Sequence, residues 1–324
     1  MKVPLTARLA ALAAVTILVG SGCFGGGGGR EIWATADLES VTISGGGTTG
    51  IYYGYGGTFG AVLTDRFGIE ATVLETGGSI ENLENLAAGT AQIAFSAADA
   101  AADATEGREP FTEPLPVRAL ARVYDDFVHL IVLESSDIGG IEDLRGRVVS
   151  FGAEGSGTEL IAGRLLAVAG VDQADIDRRA LGIDDSIAAL RTGEIEAFFW
   201  SGGLPTPGVD DLAAEVPIRL LPLRPLVEPV RAAYGGGYRH GVVPEGTYGL
   251  AGDVATMAVP NFLIAHADLP DDVAYEIVST LFDSQAEMAA EVPAAALLDR
   301  ARAIFTEPVE LHPGALRYYR DTKV

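Results

Sequence analysis

VTISGGGTTGIYYGYGGTFGAVLTDRFGIEATVL, residues 41–74, decides the fold. Val41 to Ser44 are β-prone residues that run into a glycine- and threonine-rich turn, Gly45 to Gly50. Ile51 to Phe67 reads as a helix and Ile69 to Leu74 as a second strand. Strand, short turn, helix and strand in that order specify a parallel pair, because parallel neighbours need a crossover and the helix supplies it.

The same order continues downstream. Ser79 to Ala88 reads as a helix and Ala91 to Phe95 as a strand. Val117 to Val123 and Phe127 to Leu133 read as two further strands separated by Tyr124-Asp125-Asp126. The pattern then restarts: strand Arg147 to Phe151, helix Gly157 to Ala169, strand Ile176 to Leu181, helix Asp184 to Arg191, strand Ile195 to Trp200. Thr206 to Ala214 is helical, with Pro207 in its first turn, where a missing N–H does no harm. Leu221 to Gly249 is rich in Pro, Gly and Tyr and takes no clear assignment. Thr256 to His266 is a β-like run interrupted by Pro260, and helices follow from Pro270.

The fold class is therefore α/β. At 324 residues the chain exceeds what one core usually holds, so two lobes are expected. Residues 39–123 and 256–324 form lobe one and 124–255 form lobe two, with two hinge crossings on which the lobes close.

At the N-terminus, Lys2 and Arg8 precede an apolar run, Leu9 to Gly20, and then Ser21-Gly22-Cys23. Positive, apolar and small residues in that order make residues 1–22 a signal peptide. The apolar run is shorter than the roughly 20 residues a membrane-spanning helix needs. Cys23 is the only cysteine and stands just where the leader would be cut, which points to its acylation. Gly20 occupies a position where lipid-attachment sequences carry an aliphatic residue, so an ordinary leader followed by a free thiol is the alternative. Residues 23–38, with the glycine tract Gly25 to Gly29, suit a flexible tether from a lipid anchor. The expected location is extracytoplasmic, at the membrane. Lys and Arg number 22 against 45 Asp and Glu, a net charge of −23 that excludes nucleic acid as a partner.

Four turns share one chemistry: Ser44 to Gly50, Glu75 to Ser79, Gly152 to Thr158, and Trp200 to Thr206. In parallel sheets ligands bind beyond the C-terminal strand ends, where these turns lie. Each opens a helix, whose free N–H groups and partial positive charge suit an anion. A single such turn is explained as a helix cap; four in corresponding places point to a shared ligand.

Three enzymatic readings fail on spacing. Gly45, Gly47 and Gly50 fit G-x-G-x-x-G, yet the acidic partner Glu75 lies further on than a dinucleotide site places it, and export argues against a nicotinamide enzyme. Ser156 lacks the glycine at position 154 that a nucleophile elbow requires. His129, His240, His266 and His312 form no paired metal-ligand spacing, and His129 reads as a core histidine. No catalytic residue, metal or cofactor is expected.

Taken together, Gly45 to Tyr53, Thr76 to Leu83, Asp143 to Val148, Gly155 to Glu159, Gly202 to Pro207 and His312 to Tyr319 resemble the TRAP-associated extracytoplasmic immunogenic (TAXI) family of solute receptors. The likeness runs in order from about residue 40 to 321. It implies a two-lobed, type II periplasmic-binding-protein-like fold, each lobe a mostly parallel sheet with flanking helices. It also implies a monomeric capture subunit that hands a glutamate-like amino acid or small carboxylate to the membrane subunits of a TRAP-type secondary transporter. The ligand-binding residues it points to are Thr49, Tyr52 and Tyr53 at the first turn, Thr76, Gly78, Ser79 and Asn82 at the second, and Ser156, Gly157 and Thr158 at the third. The chemistry of the turns themselves adds Gly47 and Thr48 from the first, Gly155 from the third, and Trp200, Gly202 and Pro205 from the fourth.

Asp99 has two readings, an ammonium partner or a cap for the helix after Phe95. Only one of Tyr52 and Tyr53 can face a cleft, since adjacent helical residues diverge. Trp200 stacks on a ligand or lies in the core. Arg122 is the best candidate for a carboxylate partner, with a hinge salt bridge as the alternative. An exported sensor, or an exported enzyme on the same scaffold, are the competing functions.

Overall fold

The computed structural model describes residues 32–33, 38–235 and 237–322. Residues 1–22, read from the sequence as a leader, Cys23 and the glycine tract lie outside the described residues. Trp33, assigned by composition to the tether, is buried against Phe67 at a ring separation of 5.6 Å.

One ten-stranded sheet organises the chain. β1 (Ser40–Ser44), α1 (Ile51–Phe67), β2 (Glu70–Leu74), α2 (Ser79–Ala87), β3 (Ile93–Ala97) and α3 (Ala98–Glu106) build one wing. Both β2 and β3 pair with β1 in parallel. Glycines let α1 lie close on this wing: a Cβ on Gly56 would stand 3.3 Å from Ile43 and Val73, and one on Gly60 3.2 Å from Ala71. Gly68, at φ 71°, ends the helix in the left-handed region.

β4 (Val117–Leu133) then carries the chain into the second wing. That wing holds β5 (Val148–Ser150), α4 (Gly157–Val168), β6 (Asp177–Arg179), α5 (Ile183–Thr192) and β7 (Ala197–Gly202). β5 pairs in parallel with β6 and β7. α6 (Pro207–Glu215), β8 (Ile218–Leu220), α7 (Val227–Tyr234) and β9 (Arg239–Val243) follow, and β10 (Val254–His266) leads back. Helices α8 (Asp271–Asp283), α9 (Gln285–Glu291), α10 (Arg300–Ala303) and α11 (Pro313–Asp321) complete the chain.

The two strands read at Val117–Val123 and Phe127–Leu133 are a single one. Tyr124, Asp125 and Asp126 do not break it, because each keeps a partner on antiparallel β10: Asn261, Pro260 and Val259. β10 likewise runs straight through Pro260. There β9 has ended, at Ala258, and β3 has not begun, at Asn261, so β10 has a strand neighbour on one side only and a proline is tolerated. Both crossings between the wings are thus made in mid-strand. Separate apolar cores sit on the wings, one around Ile43, Phe59, Leu63 and Leu281, another around Val149, Phe151, Leu165 and Phe199. Among the described residues, no helix is long and apolar enough to cross a membrane.

Candidate functional site

A cavity of about 440 Å3 opens where the two wings face each other. Its walls come from both. Gly46, Gly47, Gly50, Tyr52, Thr76, Gly78 and Ser79 belong to the first wing; Gly152, Ser156, Gly157, Thr158, Gly182, Ser186 and Trp200 belong to the second. Tyr124 and Asp126 of β4 lie between them.

The wings touch around the rim. Gly155 O accepts from Ile80 N and Glu81 N at 3.2 and 3.3 Å. Thr49 Oγ1 donates to Asp184 Oδ1 at 2.5 Å. These bonds span the cleft, so this is its closed arrangement.

Of the residues expected at the site, Gly47, Tyr52, Thr76, Gly78, Ser79, Ser156, Gly157, Thr158, Trp200 and Gly202 line the cavity. Tyr52, not Tyr53, faces it. Gly78 has φ 131°, and Ser156 Cα approaches to 3.5 Å of where its Cβ would be, so only glycine suits this turn.

The remaining expected residues lie elsewhere, each for a visible reason. Asn82 is fully buried behind the wall: its Oδ1 accepts from Ser44 Oγ (2.8 Å) and Thr76 Oγ1 (2.6 Å), while Nδ2 donates to Gly45 O and to Phe95 O (2.8 Å). It fastens three strand ends to one another. Thr48 is exposed outside the cavity, Thr49 sits at the rim, and Gly155 spends its carbonyl on α2.

The fourth turn contributes less than its sequence promised. Thr206 N donates to Tyr248 Oη at 2.8 Å, and Thr206 Oγ1 accepts from Trp200 Nε1 at 2.9 Å, so the start of α6 is already occupied. Pro205 does not line the cavity. The start of α5, at Gly182 and Ile183, takes that place.

Asp99 is turned away into a buried ion network. Tyr238 Oη donates to its Oδ2 at 2.9 Å, Arg164 lies 3.6 Å off, and Arg164 also pairs with Asp103. Arg122 donates to both carboxylate oxygens of Asp125, at 2.6 and 2.8 Å, and is not on the wall.

Two features were missed. Among the described residues, no Arg, Lys or His lines the cavity, whereas Glu75, Glu81, Asp126, Asp184 and Asp185 all do. Asp126 is 4% exposed; among the described residues its Oδ2 meets Ser201 Oγ, at 3.4 Å, and its Oδ1 forms no hydrogen bond, with the equally unpartnered Asn261 Nδ2 beside it. A buried acid in the middle of an apolar strand was the available signal.

Burial pushes the Asp126 carboxyl up to about 7, with Asn261 and Ser201 pulling it down. Burial also drives Tyr52 and Tyr124 well above the ordinary phenol range, so both stay protonated. A carboxyl that ionises at 3.8 when unfolded and about 7 when folded binds its proton more tightly in the native state. Its contribution is therefore fully present below pH 3.8 and lost as pH rises toward 7. Asp126→Asn should melt higher than wild type at pH 8 without ligand, by several degrees, and the gap should close near pH 4; calorimetry across pH checks this.

Free donors face these acids. The first N–H groups of α4, at Gly157 and Thr158, and of α5, at Ile183 to Asp185, have no partner among the described residues, as helix geometry dictates. α5 already has Asp184 and Asp185 in its first turn, whereas the acid of α4, Glu159, is paired with Arg178. The opening turn of α4 is the better anion seat.

The fold is shared with solved structures, two of them holding small ligands. A protein from Bordetella bronchiseptica RB50 superposes with TM-score 0.54 at 19% identity, covering 88% of this chain and 89% of its own. PhnD1 from Prochlorococcus marinus, in complex with methylphosphonate, gives 0.52 at 12%, covering 80% and 91%. An ancestral arginine-binding protein bound to arginine gives 0.52 at 12%, covering 78% and 98%. These likenesses establish the architecture, that of type II periplasmic binding proteins. Residues 43–322, from the first strand to the last helix, match the NMT1-like family, and the chain belongs to it.

Proposed function

We propose that the protein is an extracytoplasmic solute receptor of the TAXI kind, anchored through Cys23, that captures a small carboxylate-bearing solute and delivers it to a TRAP-type secondary transporter. The observation that carries this reading is the cavity walled by helix-opening turns from both wings. A solute held there contacts both wings at once, so it favours the closed arrangement by its preference for that form. The solved neighbours named above include proteins bound to methylphosphonate and to arginine, small polar solutes of the kind this cavity admits. The ordered TAXI-like motifs support the transporter assignment. With no basic side chain on the wall among the described residues, an amino acid is favoured over a short dicarboxylate. The receptor makes and breaks no covalent bond.

A thermal-shift screen against amino acids and organic acids tests the reading. A true ligand at about 100 times its Kd adds about 2.7 kcal/mol, equivalent to roughly 5–10 °C for a chain of this size. Mass spectrometry should recover it unchanged. No stabilisation by any small acid, or its conversion to product, would contradict the proposal.

A further inference from the structure

Resting on the receptor reading, we infer that Asp126 is the cation seat of the cleft. Its free oxygen receives the protonated amine of the solute, so the site takes amine-bearing acids with neutral or basic side chains and rejects acids that lack an amine or carry a second carboxylate.

The geometry is specific. A buried carboxylate with one oxygen unpaired is costly unless a partner arrives. Among the described residues the one uncommitted donor beside it is Asn261 Nδ2, itself buried and unpartnered, which forms no hydrogen bond to Asp126; the others are committed. Tyr52 Oη donates to Asn261 Oδ1, Arg122 is spent on Asp125, and Arg164 on Asp99 and Asp103. Ser201 reaches only Oδ2. Asp126 lines the cavity, and the ligand supplies the partner that its shielded oxygen lacks.

The neighbouring seat fits the rest of an α-amino acid. Ser201 Oγ donates to Asp126, and Ser201 N donates to Thr158 Oγ1 at 3.2 Å. One residue thus links the cation seat to the N–H groups that open α4. An ammonium and a carboxylate one carbon apart need adjacent seats of opposite sign, and these two are adjacent. A second anionic group would meet the carboxylates of the wall instead, with no basic side chain among the described residues to receive it.

Asp126 is faced by Tyr52 and Tyr124, both kept neutral, by Ser201 and Asn261, and more distantly by Asp99 and by Asp125 with its Arg122 partner. It is thus the group whose ionisation decides the seat's charge. Affinity for an amino acid should fall about tenfold per pH unit below 7. A neutral carboxylic acid serving a ligand carbonyl would give the opposite trend.

The test is calorimetric titration of the purified protein with four matched pairs: L-leucine and 4-methylpentanoate, L-glutamine and 4-carbamoylbutanoate, L-arginine and 5-guanidinopentanoate, L-glutamate and glutarate. The expected result is binding by amine-bearing members only, with L-glutamate weaker than the tightest of the other three. Asp126→Asn should lose at least 100-fold in affinity for that amino acid, and Asp126→Glu should keep the amine preference at reduced affinity. Deaminated members binding as tightly as their partners would overturn the assignment, as would an Asp126→Asn variant with unchanged discrimination, while leaving the receptor reading intact. Absence of binding by all eight probes would overturn this inference as well, and the receptor reading then stands or falls by the wider thermal-shift screen.

Discussion

Arg164→Met should lower the unfolding midpoint by roughly 10 °C. Arg164 is the cation of a buried network between α4 and α3, with side-chain exposure of 8%, against 3% for Asp99 and 0% for Asp103. Its guanidinium also donates to Tyr238 Oη at 2.6 Å, and Arg108 reaches only the far oxygen of Asp103. Burial alone would raise the Asp99 carboxyl far, and Arg164 is the leading opposing influence. Removing this buried cation leaves two acids short of a partner, a cost of about 3–5 kcal/mol, or roughly 2–4 °C per kcal/mol for a large domain. Replacing Arg164, Asp99 and Asp103 together with apolar residues should recover most of the loss. Scanning calorimetry decides; a drop of less than about 2 °C for the single variant would mean that the network carries little of the stability.

Gly77→Ala should instead spare stability and abolish closure. A Cβ at Gly77 would lie 2.5 Å from Glu154 O, a backbone atom of the opposite wing, and 3.3 Å from Glu81 Oε2. Neither wing alone contains the clash, so the methyl holds the wings apart and breaks the bonds from Ile80 and Glu81 to Gly155. The bound state then lacks half of its contacts. Affinity should fall about 100-fold, equivalent to roughly 2.7 kcal/mol, while the ligand-free midpoint moves by no more than a few degrees. Gly57→Ala is the control: nothing lies within 4 Å of a Cβ there, and alanine favours the helix. Titration with the tightest amino acid, beside small-angle scattering for ligand-induced compaction, separates the two. Full affinity in Gly77→Ala would show that the wings need not meet to hold the solute.

The βαβ order was legible because each helix follows its strand through a short glycine turn, as at Gly45 to Gly50. Turns of that form identify themselves; what their donors bind does not. Gly152 to Thr158 and Trp200 to Thr206 look alike in sequence, yet the first opens onto the cavity and the second is satisfied by Tyr248, more than 40 residues away. Gly182 to Ser186 reached the wall with a single glycine, and without the run of Gly with Ser or Thr that marked the other turns. Asn82 reads as a ligand residue and serves as a fastener, because its four bonds go to groups scattered over three strand ends. Asp125 and Asp126 read as a break between strands. Their pairing with Pro260 and Val259 across the sheet makes them mid-strand residues with opposite fates, one tied to Arg122 and one aimed into the cleft.

A crystal structure of the protein grown with its tightest amino acid tests the central claim most directly. The amine should lie within hydrogen-bond distance of Asp126 Oδ1 and the carboxylate on the N–H groups of Gly157 and Thr158. A ligand bound outside the cleft, or one that turns its carboxylate toward Asp126, would contradict the account.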